Sequence, residues 1–185
     1  MSRRPFAMAA VAALAAFAAL APARAQSGLG IAAGGSLPTS DFGRVADPGY
    51  HITGLAHIAK HDSPFALRLD GTFSQYDYPS DLHVPDASTR LIYGTANLVI
   101  SAASGMGPYV IGGAGIYYSA AECTGCTTSA TNAGYNAGGG FRFALRGFSA
   151  FLEARYHVIP GGNDPTTAGT KKNAAFVPIS FGLIF

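Results

Sequence analysis

Phe176-Val177-Pro178-Ile179-Ser180-Phe181-Gly182-Leu183-Ile184-Phe185 closes the sequence. Val177, Ile179, Phe181, Leu183 and Phe185 are large and apolar, while Pro178, Ser180 and Gly182 between them are small or polar; only Ile184 breaks the alternation. A period of two places the apolar set on one face of a β-strand. Chain ends of water-soluble domains tend to be exposed and frayed, so a strand this apolar at a terminus asks for something other than water against it. Pro178 fits least well, because it has no N–H for a ladder; a local bulge would accommodate it in a closed sheet.

Working outward from that strand, eight strand-like segments can be read, separated by turn-forming clusters. They run approximately Leu29–Ser36, Tyr50–Ala59, Phe65–Tyr76, Thr89–Ser101, Tyr109–Ser119, Ala133–Leu145, Phe148–Ile159 and Ala174–Phe185. Their lengths cluster near the ~9–11 residues with which a tilted strand crosses a bilayer. The connections alternate in length. Leu37 to Gly49, Asp77 to Ser88, Ala120 to Asn132 and Pro160 to Asn173 are long and rich in Pro, Asp, Gly, Ser and Thr. Lys60 to Pro64, Ala102 to Pro108 and Arg146-Gly147 are short. Short periplasmic turns and longer extracellular loops have that asymmetry in outer-membrane barrels, and an even strand number puts both termini on the short-turn side. The expected fold is an all-β, eight-stranded antiparallel transmembrane barrel.

Alternation within the strands assigns faces. Phe148, Ala150, Leu152, Ala154, Tyr156 and Val158 oppose Ser149, Phe151, Glu153, Arg155 and His157; Leu67, Leu69, Gly71 and Phe73 oppose Arg68, Asp70, Thr72 and Ser74. Phe141, Phe143 and Leu145 oppose Gly138, Gly140 and Arg142, and Ile92, Ala96, Leu98 and Ile100 oppose Tyr93, Thr95 and Asn97. A lipocalin-like soluble barrel would turn the apolar face inward around a ligand and carry a densely charged exterior. Here the polar face is mostly Gly, Ala, Ser, Thr and Asn, which suits a crowded interior. Tyr50, Tyr76, Tyr109, Tyr117, Phe148 and Tyr156 lie near strand ends, where membrane barrels keep aromatic girdles.

The beginning of the sequence agrees with export. Arg3 and Arg4, the Ala-rich apolar run Phe6 to Leu20 and the small-x-small site Ala23-Arg24-Ala25 have the layout of a secretory signal peptide. That reading assigns residues 1–25 to a leader cleaved after Ala25 and 26–185 to one barrel domain; the rival is a transmembrane anchor. Removing Arg3, Arg4 and Arg24 takes the basic count from 12 to 9 against 10 acidic residues. No basic footprint for nucleic acid remains. Only 12% of the chain is charged, against about 25% in soluble domains, so much of its surface does not meet water. No later apolar stretch is long enough for a membrane helix.

Leader, eight strands, loop alternation and terminal Phe185 together resemble the OmpA/OmpX-like family of small outer-membrane β-barrels. Phe148 to Tyr156 (FSAFLEARY) followed by FVPISFGLIF is similar to the ending of outer-membrane β-barrel and porin-family proteins. The resemblance implies outer-membrane lipid as surroundings and the barrel-assembly machinery as a partner, with Phe185 as the assembly signal. It is specific for architecture and leaves activity open, since members are structural proteins, adhesins, host-interaction proteins or occasionally enzymes.

Arg68, Asp70, Arg142, Glu153 and Arg155 all lie within about eight residues of a short turn, at ~3.3 Å per residue, and so at similar depth in the lumen. Glu153 and Arg142 flank Arg146-Gly147 as diagonal neighbours. An eight-stranded barrel is only wide enough for its side chains to fill, and buried charges there must pair. One reading is a salt-bridged plug that blocks conduction; the other is a polar pathway for small solutes. Small-barrel lipid A deacylases carry a His-x-Ser pair, but His157 is followed by Val158 and Ile159, so the nucleophile is missing and no catalytic residue is assigned. His51, His57, His61 and His83 are scattered, giving no metal site and no cofactor. Gly112-Gly113-Ala114-Gly115 lies within a strand with no helix to follow, unlike a phosphate loop.

Cys123 and Cys126 are the two cysteines. Export makes a disulfide the default; zinc lacks a second ligand pair, and a redox role lacks a βαβ setting. They fall in the third long connection, the segment most able to offer a rigid feature to an extracellular ligand, although the composition favours a plain solvated loop.

Overall fold

The computed structural model describes residues 25–40, 42–44, 46–60, 63–77, 88–102, 106–123, 126–163 and 171–185. Eight strands account for nearly all of them: β1 (Ala25–Ser40), β2 (Gly49–Lys60), β3 (Phe65–Asp77), β4 (Ser88–Ser101), β5 (Gly107–Cys123), β6 (Cys126–Leu145), β7 (Phe148–Asn163) and β8 (Lys171–Ile184). One 3-10 turn, Phe42–Arg44, follows β1. Each strand pairs antiparallel with the next, and β8 returns to β1, closing the barrel. Closure leaves no sheet edge, so every strand finds hydrogen-bond partners on both sides, as a lipid surrounding demands. The expected leader over residues 1–25 falls outside the described residues except for Ala25, which opens β1.

The period-two pattern becomes two opposite surfaces. Along β4 buried and exposed residues alternate without a break from Thr89 to Ile100. Outside stand Ile31, Ile52, Leu67, Ile92, Leu98, Val110, Ile116, Leu152 and Phe181, all exposed. Inside stand Thr53, Arg68, Asp70, Thr72, Thr95, Asn97, Asn136, Glu153 and Arg155, all buried. So large an apolar exterior around a polar interior is an inside-out arrangement in water and the expected one in a bilayer.

Glycines make room for the larger lumen side chains. A Cβ at Gly140 would come within 2.7 Å of the Tyr109 hydroxyl, and one at Gly182 would strike the Phe151 ring. The two-residue turn Arg146-Gly147 has Gly147 at φ 87°, which glycine adopts without strain.

Three expectations need correction. Tyr50, Phe148 and Tyr156 are exposed as girdle residues would be, but Tyr76, Tyr109 and Tyr117 are buried in the lumen. Parity explains it, because Tyr76 shares its face with Arg68 to Ser74. The third long connection is also largely sheet: β5 and β6 stay paired from Gly107↔Arg142 up to Cys123↔Cys126, so the hairpin is an extension of the barrel wall. Nothing in the Ala-, Ser- and Thr-rich flanks opposes strand pairing. Finally, Pro178 needs no bulge of its own. The β7–β8 register is the same at Ala154↔Ile179 and His157↔Phe176, and the shift lies further on, between Ile159 and Gly162. Pro178 still pairs with Ser36 on β1; the ladder merely opens on the β7 side, where its missing N–H would have pointed.

Candidate functional site

Three strands carry the same sequence of layers along their lumen faces. From the short-turn end, β3 presents Ala66, then Arg68 and Asp70, then Thr72 and Ser74, then Tyr76. β4, read from the same end, presents Val99, Asn97, Thr95, Tyr93 and Leu91, and β7 presents Phe151, Glu153, Arg155, His157 and Ile159. Each of these three strands reads apolar, polar, apolar, which sets their charged and polar residues between apolar ones; β2 differs, with His57, Leu55, Thr53 and His51 buried in that order from the short-turn end.

The charged layer is an ion-paired square. Arg68 meets Glu153 in a two-pronged contact, Nη2 donating to Oε1 at 2.6 Å and Nη1 to Oε2 at 2.9 Å. Arg155 Nη1 donates to Asp70 Oδ2 at 2.8 Å, and its Nε lies 2.8 Å from Glu153 Oε1. Arg68 Nε lies 3.0 Å from Asp70 Oδ1. Two guanidinium groups and two carboxylates give zero net charge. Neutral donors complete the layer: the Tyr109 hydroxyl donates to Glu153 Oε2 at 2.7 Å, and Asn97 Nδ2 donates to Asp70 Oδ2 at 2.9 Å. Asn136 Nδ2 donates to Asn97 Oδ1 at 2.9 Å, extending the network to β6. Burying four charges costs several kcal/mol each in desolvation, and only this density of charge-assisted bonds offsets it.

Apolar side chains close the layer at both ends. Toward the short turns lie Leu55, Val99, Tyr109, Ile111 and Phe151, with the Phe151 ring 5.3 Å beneath the Arg68 guanidinium carbon. Toward the long connections lie Tyr76, Leu91, Tyr93, Tyr117, Ile159 and Phe176. Tyr93 stacks on Tyr117 at 5.1 Å, and His157 stacks on Phe176 at 4.9 Å. Some polar atoms here pair locally, Tyr117 with His157 Nδ1 at 2.9 Å, Tyr76 with Ser36 at 2.6 Å and the neighbouring His51 Nε2 with Ser180 at 2.8 Å, while His157 Nε2 and His51 Nδ1 are buried without a partner among the described residues.

Of the five charges singled out in the sequence, Arg68, Asp70, Glu153 and Arg155 meet and Arg142 does not. Arg142 is diagonal to Glu153 in the β6–β7 register, which pairs Gly140 with Glu153 and Arg142 with Phe151. Both Glu153 oxygens are already taken, however, and the Arg142 guanidinium lies over the Tyr109 ring at 5.6 Å. Sequence reasoning missed Tyr109 and Asn136 as members of the interior network, and put His157 on the lumen face without its tyrosine partner. A usable signal existed for Tyr109, which faces Gly140 in register: a glycine opposite a tyrosine marks a ring that lies across it.

His157, set aside as a catalytic base, bonds the Tyr117 hydroxyl, with no serine among its described partners. Among the described residues no three His, Cys, Asp or Glu side chains gather as a metal site. The Cys123 and Cys126 side chains lie outside the described residues, although their backbones face each other in register. Phe185 stands exposed at the short-turn end, its N–H donating to Leu29 O at 2.8 Å and its ring 6.3 Å from Phe148.

No curated protein matches the chain in sequence. Among solved structures it is similar to Neisserial surface protein A, at 17% identity and a TM-score of 0.60 over 85% of this chain and 95% of that one. It is likewise similar to Ail, the attachment invasion locus protein of Yersinia pestis, at 15% identity and a TM-score of 0.50 over 86% of this chain and 97% of that one. The N-terminal β-barrel domain of Pseudomonas aeruginosa OprF matches at 14% identity and a TM-score of 0.51, over 87% and 99% of the two chains. At such identities the likeness is one of fold. The family model described as the outer membrane protein beta-barrel domain matches residues 9–180, and the chain belongs to that family.

Proposed function

We propose that this protein is a non-conducting, non-enzymatic barrel of the outer membrane, a structural scaffold that presents its long-connection end to the exterior for surface interaction. The observation that carries the reading is the neutral Arg68–Asp70–Glu153–Arg155 square capped by apolar layers on both sides. Such an interior supports the wall and offers ions no continuous polar path, which weighs against a narrow pore. The absence of a serine beside His157 weighs against lipid-modifying chemistry. In this reading outer-membrane lipid surrounds the apolar belt, the barrel-assembly machinery reads Phe185, and residues 1–25 are removed on export. The β5–β6 hairpin, standing on a continuous ladder, is the element this reading offers to an extracellular ligand. Two of the fold's neighbours are a surface protein and an attachment invasion locus protein, which agrees with that use of the scaffold.

Orientation is the testable part. Cysteines introduced at Ser80 or Pro165 are expected to react with a membrane-impermeant maleimide on intact cells, and one at Asp62 only after the envelope is opened. Labelling of Asp62 alone on intact cells would invert the barrel and remove the surface role.

A further inference from the structure

A cavity of about 420 Å³ opens at the short-turn end, away from the charged square. Its polar lining comes from His57, Arg142 and Ser149, and its rim from Leu145, Phe148, Ile184 and Phe185. Two features of that lining are unexplained by the plug. His57 is 5% exposed, yet neither of its ring nitrogens has a hydrogen-bond partner. Arg142 has a buried Nε without a partner and, among the described residues, forms no ion pair. None of the side chains lining the cavity is acidic; the Phe185 carboxylate is the anion at the rim, and it forms no ion pair with Arg142.

A buried polar group without a partner costs ~1–3 kcal/mol, and more when charged. The cavity therefore gathers uncompensated donors, the Arg142 Nε–H and a His57 ring N–H, beside the Ser149 hydroxyl. Donors and a positive charge lining one cavity fit a tetrahedral oxoanion, which accepts several hydrogen bonds at once. The apolar rim adds a surface that acyl chains can cover. We infer that this vestibule binds a phosphate group, held by Arg142 and His57, either as free phosphate or as the headgroup of a phospholipid in the adjoining leaflet. The Tyr109 ring beneath Arg142 holds the guanidinium in place through a cation–π contact.

The test uses the whole mature protein, isolated from membranes in an amine-oxide detergent that contains no phosphate. Nitrogen-15 spectra of the Arg142 Nε–H and the His57 ring are followed as inorganic phosphate is added at constant ionic strength, with chloride as reference. A saturable shift at both groups with phosphate alone is expected, weakened about tenfold or more in Arg142→Gln, as loss of a charge-assisted contact implies. Arg142→Gln should also keep or raise the unfolding midpoint, because a charge without a counter-ion is removed; a structural arginine would lower it. If that variant does not fold, Arg142→Lys retains the charge and loses the fork, and an affinity between wild type and none is expected. Native mass spectrometry of the wild type supplies the second arm: a retained phospholipid identifies the headgroup as the source, and phosphate binding without one identifies the free anion. Equal shifts with chloride, the absence of saturation, or undiminished phosphate affinity in both Arg142 variants would overturn the assignment.

Discussion

Two arginine-bearing regions of one lumen behave oppositely. In the middle, Arg68 and Arg155 each reach two carboxylates and every charge is answered. At the short-turn mouth, His57 and Arg142 line a cavity, and both ring nitrogens of His57 and the Nε of Arg142 are buried and bond to nothing among the described residues. Both regions hold arginine, but the square carries two carboxylates where the mouth has no acidic side chain among the described residues, and along β6 and β7 the two lie only a few residues apart. What separates them is closure: the square is sealed by Phe151 and Tyr109 below and Tyr93 and His157 above, whereas the mouth is not sealed. A sealed charge must be paired within the protein. An open one can leave its pairing to something that arrives.

The sharpest way to break this contrast is to unpair the square. Glu153→Ala leaves Arg68 and Arg155 sharing the single Asp70 carboxylate, and losing one partner of a buried ion pair costs ~3–5 kcal/mol. Urea unfolding of the detergent- or lipid-embedded protein should show a drop of that size. An unchanged midpoint would mean that water already reaches the square and that the two regions do not differ. Tyr109→Phe removes only the hydroxyl that donates to Glu153, and a hydrogen bond to a charged group contributes ~1.5–3 kcal/mol. Its loss should be about half that of Glu153→Ala in the same assay, and a larger loss would make the tyrosine, rather than Arg68, the chief support of the carboxylate. The smallest effect is expected from Cys123→Ser with Cys126→Ser. Oxidised cysteines at the hairpin tip would close a loop of very few residues, so the chain-entropy gain is slight. The midpoint should move by less than ~0.5 kcal/mol; two alkylatable thiols in freshly isolated membranes would show that no bridge forms at all.

The fold was legible because a barrel wall has only one rule. Alternation at Val177 to Phe185, Leu67 to Ser74 and Phe148 to Val158 names the strands and their faces, and connection lengths name the two ends. The limits of strands were less legible. Nothing between Ala120 and Asn132 looks like a membrane-crossing strand, and yet backbone pairing continues to Cys123 and Cys126 because no residue there interrupts it. Parity also contained more than position did: Tyr76, Tyr109 and Tyr117 sit near strand ends as girdle residues do, but their register turns them inward. The charge cluster was half readable. Depth along each strand brought Arg68, Asp70, Glu153 and Arg155 to one level. Which arginine meets Glu153 was not readable, since β3 and β7 are four strands apart and touch only across the lumen. Neighbouring register favoured Arg142, and packing across the barrel chose Arg68.

The central claim is that the square and its apolar caps form a sealed, charge-neutral plug. Single-channel recording of the purified wild-type protein in planar bilayers tests it most directly. The account predicts a silent membrane with folded, heat-modifiable protein inserted. Discrete, reproducible ion-conducting steps that disappear when the protein is withheld would contradict it, and the lumen would then be a gated polar pathway.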